Sequence, residues 1–432
     1  MKQLVYSKEF MREYRRDAKA FTRPRILTFP ILILFLLNLL KGALQTELNG
    51  FFNISTRAAV AMRKVTAQAF CKARAKILFG AFIALNQRLV DSFYADAPVH
   101  KWKGFTLFAI DGTTLRLPYS EEILEEFGGM PLPDGRIRPL AQAISVYDVL
   151  NEMTVAASAM PYVCAEVTMT MDLLSSMGDL TGSLLLMDRG FAAFPLLNLI
   201  KAQGGHFVVR IKSNMNVIKQ LKKTGKHEGI FDYQIDKNSS AKAKCKKYGI
   251  SARSISVRII EIPWDGEEGY LYLMTNLLDP AAFPYGDFSD LYHLRWFIEE
   301  NYKRKKSREE IENFTAKSVN GLKQDFHAKV FTENLAVALA HRVAAKVRED
   351  NCSLNRKYDY KINFTQLLSS FKDTVVRVLK GAEPRKILAQ LQELWRITLT
   401  AIRPGRKFIR KSTKENRRPK VVGFYFPYKR TT

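Results

Sequence analysis

Acidic residues are scarce in this chain relative to basic ones. Its 432 residues hold 42 Asp and Glu against 68 Lys and Arg, a formal charge of +26. Such an excess repels itself in a compact state unless a polyanion screens it, so nucleic acid is the favoured partner and an anionic membrane surface the competing one. Cysteine is also short. Cys71, Cys164, Cys245 and Cys352 lie far apart, with no CxxC pair and no histidine at metal-ligand spacing. A disulfide framework and a zinc site are thereby disfavoured, and a reducing cytoplasm is expected. No signal-peptide pattern opens the chain, whose first residues are of mixed charge. The longest apolar run, 26–40, is too short to span a bilayer and is interrupted by Pro30 and Asn38, so it reads as a buried helix. No internal repeat is visible.

What is present fits a folded protein of two or three domains: 47% of residues are hydrophobic and 11% aromatic. Residues 1–100 carry apolar positions at helical spacing. The segment from Met62 sets Arg63, Lys64, Lys72, Arg74 and Lys76 around an apolar stripe suited to lying against phosphates, or to serving as an ordinary surface helix. From Phe105 the period changes. FTLFAID predicts a short buried strand ending on Asp111, with TTLRLP as a second piece beyond Gly112. AISVYDV and MTVAASAM predict paired strands turning at Asn151-Glu152. GSLLLMD predicts a strand ending on Asp188, RGFAAFPLLNLIKAQGG a helix closed by glycines, and HFVVRIKSN a further strand.

Residues 213–283 read as a β-rich insertion with two basic, turn-rich stretches, KQLKKTGKHEG and NSSAKAKCKKYG. Helices follow, and the stretch from Arg403 onward is densely cationic, expected to order on DNA and to add non-specific affinity. The organisation expected is therefore a helical DNA-binding domain over 1–100, a core in two parts over 101–212 and 284–350 with the insertion at 213–283 between them, and a helical, basic region over 351–432.

The stretch LYHLRWFIEENYKRKKSREE concentrates chemistry. At about 100° per residue, Tyr292, Arg295, Glu299 and Lys306 fall within roughly 60° on one helical face. Trp296 and Lys303 border that stripe, while Leu291, Leu294, Phe297 and Ile298 are expected to face the core. An amphipathic surface helix with scattered charges is the plain alternative. With Asp111 and Asp188 at strand ends, Glu299 would complete an all-oxygen site suited to Mg²⁺ or Mn²⁺. Two such ions support in-line phosphoryl displacement. Taken singly, Asp111-Gly112 reads equally as a turn and Asp188-Arg189-Gly190 as a strand-to-helix cap.

Together, IDGTTLRLP, MDRGF and YHLRWFIEENYKRKK resemble the three acidic motifs of bacterial DDE transposases. The last matches the Y-x2-R-x3-E-x6-K signature of the insertion-sequence-four family. TNLLDP, VTAQAFCKAR and RPGR are also similar to that family. The resemblance implies an α/β, RNase H-like mixed-sheet core in which Asp111, Asp188 and Glu299 hold two divalent ions. It implies that Tyr292, Arg295 and Lys306 contact phosphates near the cut end. Trp296 would hold a flipped base, with a plain packing aromatic as the alternative, and Arg210 and Lys212 would meet the DNA backbone. The implied activity is cutting of inverted-repeat ends of a mobile element in double-stranded DNA and joining of the freed 3′-OH ends to target DNA. A homodimer in the DNA complex, a cytoplasmic, nucleoid-associated location and no membrane partner go with it. A non-catalytic DNA-binding regulator derived from a transposase is the alternative, as is a nuclease without strand transfer.

Overall fold

In the computed structural model the described residues are 1–403 without 57–59, 61, 236–238, 265–268, 355–356 and 382. The cationic stretch from residue 404 lies outside them. The chain divides into two compact units. The first comprises Met1–Ala95, Arg116–Glu126 and the described residues from Lys305 onward, and the second comprises Asp96–Leu115 and Phe127–Arg304.

The first unit is helical. The apolar run forms the helix Phe29–Leu36, started by Pro30 in its first turn, and Leu32, Ile33, Leu34 and Phe35 are essentially inaccessible. It is a core helix because almost every side chain on it is apolar and enclosed, so no wet face is needed. Around it pack Phe51, Phe70, Phe82 and Phe331, the last from the 35-residue helix Val319–Ser353. A short antiparallel pair, Tyr360–Ile362 with Leu399–Ala401, closes the unit's described C-terminal part. No helix among the described residues is long and apolar enough to cross a membrane.

The basic segment after Met62 is not one amphipathic rod. It forms the helices Ala67–Arg74 and Gly80–Asp96, and Arg74 is buried, where both a phosphate-facing segment and an ordinary surface helix would have left it exposed. Its guanidinium donates to Gln324 Oε1 at 2.8 Å, Thr315 Oγ1 at 2.6 Å, Gly321 O at 2.8 Å and Asp325 Oδ1 at 2.8 Å. A rigid fork of donors making four hydrogen bonds to buried acceptors makes Arg74 a brace of the unit's interior.

The second unit is built on a nine-stranded mixed sheet. Its strands are β1 (Thr106–Arg116), β2 (Gly129–Pro131), β3 (Ile137–Asp148), β4 (Met153–Pro161), β5 (Ser183–Met187), β6 (His206–Ile211), β7 (Glu228–Tyr233), β8 (Ile255–Pro263) and β9 (Tyr270–Thr275). The order is β2-β3-β1-β5-β6-β9-β8-β7, with β4 also paired to β3. β1, β5 and β6 run parallel as neighbours, while β9, β8 and β7 add antiparallel beyond β6. The central strand β5 is SLLLM, buried at every position, as expected of a parallel strand covered on both faces.

The structure departs from three sequence expectations in this unit. β1 does not stop at Asp111; it runs on through Gly112 to Arg116 as one strand, because β3 continues alongside after β5 has ended. The helix after Asp188 starts only at Phe194, behind the short 3-10 turn Arg189–Phe191. The two basic stretches of the 213–283 region are in good part helical, as Asn216–Thr224 and Ser239–Lys247. Val217, Ile218 and Leu221 of the first are buried, and this apolar side holds it as a helix despite its lysines.

Candidate active site

The parallel register of β1 and β5 positions the first two acids. Ile110 pairs with Met187, so Asp111 and Asp188 follow in step on neighbouring strands, about 5 Å apart in the hydrogen-bonding direction. β5 ends at Met187, and Asp188 caps the 3-10 turn in extended conformation. Asp111 sits where β1 outruns its partner. Its Oδ1 accepts from the Gly112 N–H at 2.9 Å, and its carbonyl accepts from Tyr302 Oη at 2.7 Å. Burial pushes the Asp111 carboxyl up to about 6, and Glu299 and Glu166 push the same way against the Gly112 N–H and Arg295.

The signature stretch is two helices, not one. Asp287–His293 ends, and Trp296–Ser307 begins after a turn at Leu294-Arg295. Across the turn the backbone bonds tighten to three residues: Arg295 N to Tyr292 O at 3.1 Å and Ile298 N to Arg295 O at 3.2 Å. Side chains three apart eclipse in that geometry, which brings the Arg295 guanidinium to 5.7 Å from the Tyr292 ring centroid. The expected division into an apolar core face and a wet chemical face holds only in part: Leu291 and Ile298 are buried as expected, but the rest of the pattern departs from it. Tyr292 is 3% and Arg295 4% exposed, whereas Phe297 is 46% exposed.

Tyr292 Oη donates to Met187 O at 3.3 Å and reaches Asp188 Oδ1 at 3.5 Å. Its phenol is held well above its usual range, chiefly by burial, with Asp188 adding and Arg295 and Arg210 opposing. Arg295 Nη2 donates to Glu299 Oε1 at 3.0 Å, and the guanidinium lies 4.8 Å from the Trp296 ring centroid. Burial works against its charge, but Tyr292, Asp188 and Glu299 outweigh that and keep it protonated. Its buried Nε has no hydrogen-bond partner among the described residues. Arg295 thus interacts with all three acids, two of them through the field alone.

Among the described residues no three His, Cys, Asp or Glu side chains stand close enough to hold a metal ion together. Glu299 is turned onto Arg295. The donor set nevertheless fits a hard divalent cation. It is all oxygen, and the raised Asp111 carboxyl marks a place where negative charge lacks compensation.

Arg210 is half-buried on β6, and Lys212 is exposed just past it. With Arg189, Ser213, Asn214, Tyr270 and Tyr272 they line a cleft of about 280 Å³. A larger cleft of about 690 Å³, lined by Asp188, Arg189, Lys212 and Met215 among others, adjoins it. Asp188 therefore opens onto a cleft walled by Arg189 and Lys212, with Arg210 in the adjoining one. Arg189 and Tyr270 were not singled out from the sequence; the DRG triplet was visible for Arg189, while nothing local marks Tyr270.

Lys306 lies two turns beyond Glu299 on the same helix and is described within the first unit. It is half-buried, with Nζ 3.9 Å from Glu312 Oε1, an oxygen that also accepts from the Arg116 N–H at 3.0 Å. Burial lowers its affinity for a proton, with Arg116 adding and Glu312 opposing.

Residues 102–335, more than half of the chain, match the family model described as Transposase DDE domain. The chain is 25% identical over 261 residues to the transposase InsG for insertion sequence element IS4 of Escherichia coli (strain K12), covering 59% of this chain and 56% of that relative. It thus spans just over half the length of that curated relative. A solved structure, the piggyBac transposase synaptic complex with hairpin DNA, aligns with 97% of this chain and 87% of that one, at 9% identity and a TM-score of 0.42. With its matched region enclosing Asp111, Asp188 and Glu299, the chain belongs to the Transposase DDE domain family.

Proposed function

We propose that the protein is a DNA transposase that cuts at the ends of its own mobile element and joins the freed 3′-OH ends to target DNA. The observation that carries this reading is the placement of Asp111 on β1 and of Asp188 just past the end of its parallel neighbour β5, both inside the family-matched region. The core is read as RNase H-like, with the β7–β9 region as an insertion that extends its sheet.

Asp111, Asp188 and Glu299 are the residues assigned to hold two Mg²⁺ or Mn²⁺ ions. When bound, such ions neutralise charge on the phosphate and lower the barrier to in-line displacement. The chain's own residues supply the rest. Tyr302 and Gly112 fix Asp111 from its carbonyl and its carboxylate. Tyr292 fixes the end of β5 and Asp188. Arg295 holds Glu299 while DNA is absent; its unpartnered Nε and its stacking on Trp296 and Tyr292 suit a guanidinium that transfers to a phosphate oxygen. A phosphate that draws the guanidinium over would release Glu299, whose carboxylate is then open to a cation.

Arg210, Lys212 and Arg189 line these two adjoining clefts and are read as backbone-phosphate contacts, as is Lys306. Trp296 is read as the stacking platform for a flipped base. Joining two ends calls for two copies, so a homodimer is expected in the DNA complex.

Incubation with a labelled element end and Mg²⁺ tests the reading. A metal-dependent product ending in 3′-OH at the element boundary supports it. Intact DNA under conditions of demonstrated binding overturns it in favour of a non-catalytic regulator.

A further inference from the structure

Gly112 has no side chain, and the space it leaves is filled. A Cβ built there would lie 2.1 Å from Glu166 Oε1 and 2.8 Å from Gln142 Nε2. The Gly112 backbone is not left-handed, so conformational freedom is not what glycine supplies here. What it supplies is room for a carboxylate beside Asp111. Glu166 comes from the first turn of the helix Glu166–Met177, which follows β4. Its Oε1 accepts from Gln142 Nε2 at 2.7 Å, and Gln142 Oε1 in turn lies 3.4 Å from Thr114 Oγ1. Glu166 and Asp111 are near enough for their charges to repel.

A glutamate in a first helical turn has an ordinary explanation, since negative charge there suits the helix dipole. That explanation does not account for a carboxylate held by a strand glutamine in the volume of an absent side chain. Nor does it account for an acid brought near Asp111, where repulsion between the two carboxylates adds to the cost of burying Asp111. Carboxylates that bind metal are oriented by just such outer hydrogen bonds.

We propose that Glu166 is a fourth carboxylate of the divalent-ion site, aimed by Gln142 and admitted beside Asp111 by Gly112. This rests on the reading that Asp111, Asp188 and Glu299 hold the ions. Thr114 and Gln142 are its positioning residues.

Mn²⁺ titration of the full chain without DNA, followed by electron paramagnetic resonance, tests the assignment apart from activity. Glu166→Gln removes the charge; Gly112→Ala removes no charge but puts a methyl group where the carboxylate lies. Each is expected to weaken Mn²⁺ binding about tenfold or more. Gly112→Ala also gives a result should Glu166→Gln fail to fold. Mn²⁺ binding of wild-type strength by either folded variant overturns the proposal. Asp111→Asn separates this from the parent reading: loss of binding there with none in Glu166→Gln sinks Glu166 alone. Undiminished binding in Asp111→Asn sinks the three-acid site as well.

Discussion

Arg295 Nη2 donates to Glu299 Oε1 at 3.0 Å, from a guanidinium only 4% exposed. A cation thus already stands among the acids assigned to the ions, and it competes for Glu299. Arg295→Met, of similar length and without charge, is expected to raise Mn²⁺ affinity of the DNA-free protein several-fold, on the order of one kcal/mol for an ion pair whose carboxylate is partly exposed to solvent. It should weaken binding of element ends at the same time. A titration showing unchanged or weaker Mn²⁺ binding would remove the competition.

Asp111 titrates near 6 in the folded chain against a usual 3.8. A raised carboxyl favours folding when protonated, so its contribution is present below pH 3.8 and lost as pH rises through 6. Asp111→Asn should therefore stabilise the metal-free protein at pH 7, by about 1–2 kcal/mol after allowing for partial exposure. Thermal melts at pH 7 and near pH 3.5 read this directly; the gain should vanish at the lower pH. An equal gain at both would mean that ionisation of Asp111 is not its origin.

The same proton has to leave before Asp111 can bind a cation. Mn²⁺ affinity is expected to fall about tenfold for each pH unit below 6 and to level off above it, if Asp111 alone titrates. A profile flat between pH 5 and 7 would take Asp111 out of the metal site.

Asp111→Asn, Asp188→Asn and Glu299→Gln should each abolish cleavage of a labelled end and leave DNA binding largely intact. Each removes a proposed ligand and none removes a positive charge. Cleavage at wild-type rate by any one of them excludes that residue.

Lys306→Ala should lower the slope of log affinity against log salt by about one, the share of a single phosphate contact. Lys306 gives up its proton more readily than an ordinary lysine, so its contact should also fade first as pH is raised. A salt slope that does not change takes Lys306 off the DNA.

The three acidic motifs were legible because each is short, local and set in order along the chain. β5 reads from SLLLM alone, and the buried Phe29–Leu36 helix from its apolar run, because burial there leaves no polar face to disguise the pattern. The positive excess likewise pointed to a polyanion as partner. Local pattern could not give the reach of β1 past Asp111, which depends on β3 lying beside it, nor the turn at Leu294-Arg295. Helical periodicity assumed 100° per residue through that turn and so exposed Tyr292 and Arg295, which neighbouring strands and rings in fact cover. Sequence by itself determined which residues are the candidates for the chemistry, since identity and spacing are properties of the chain. Which of them touch was decided by tertiary structure alone: Glu299 on Arg295, Tyr292 on β5, and Glu166 in the space at Gly112 are meetings of distant segments, fixed by strand pairing and packing.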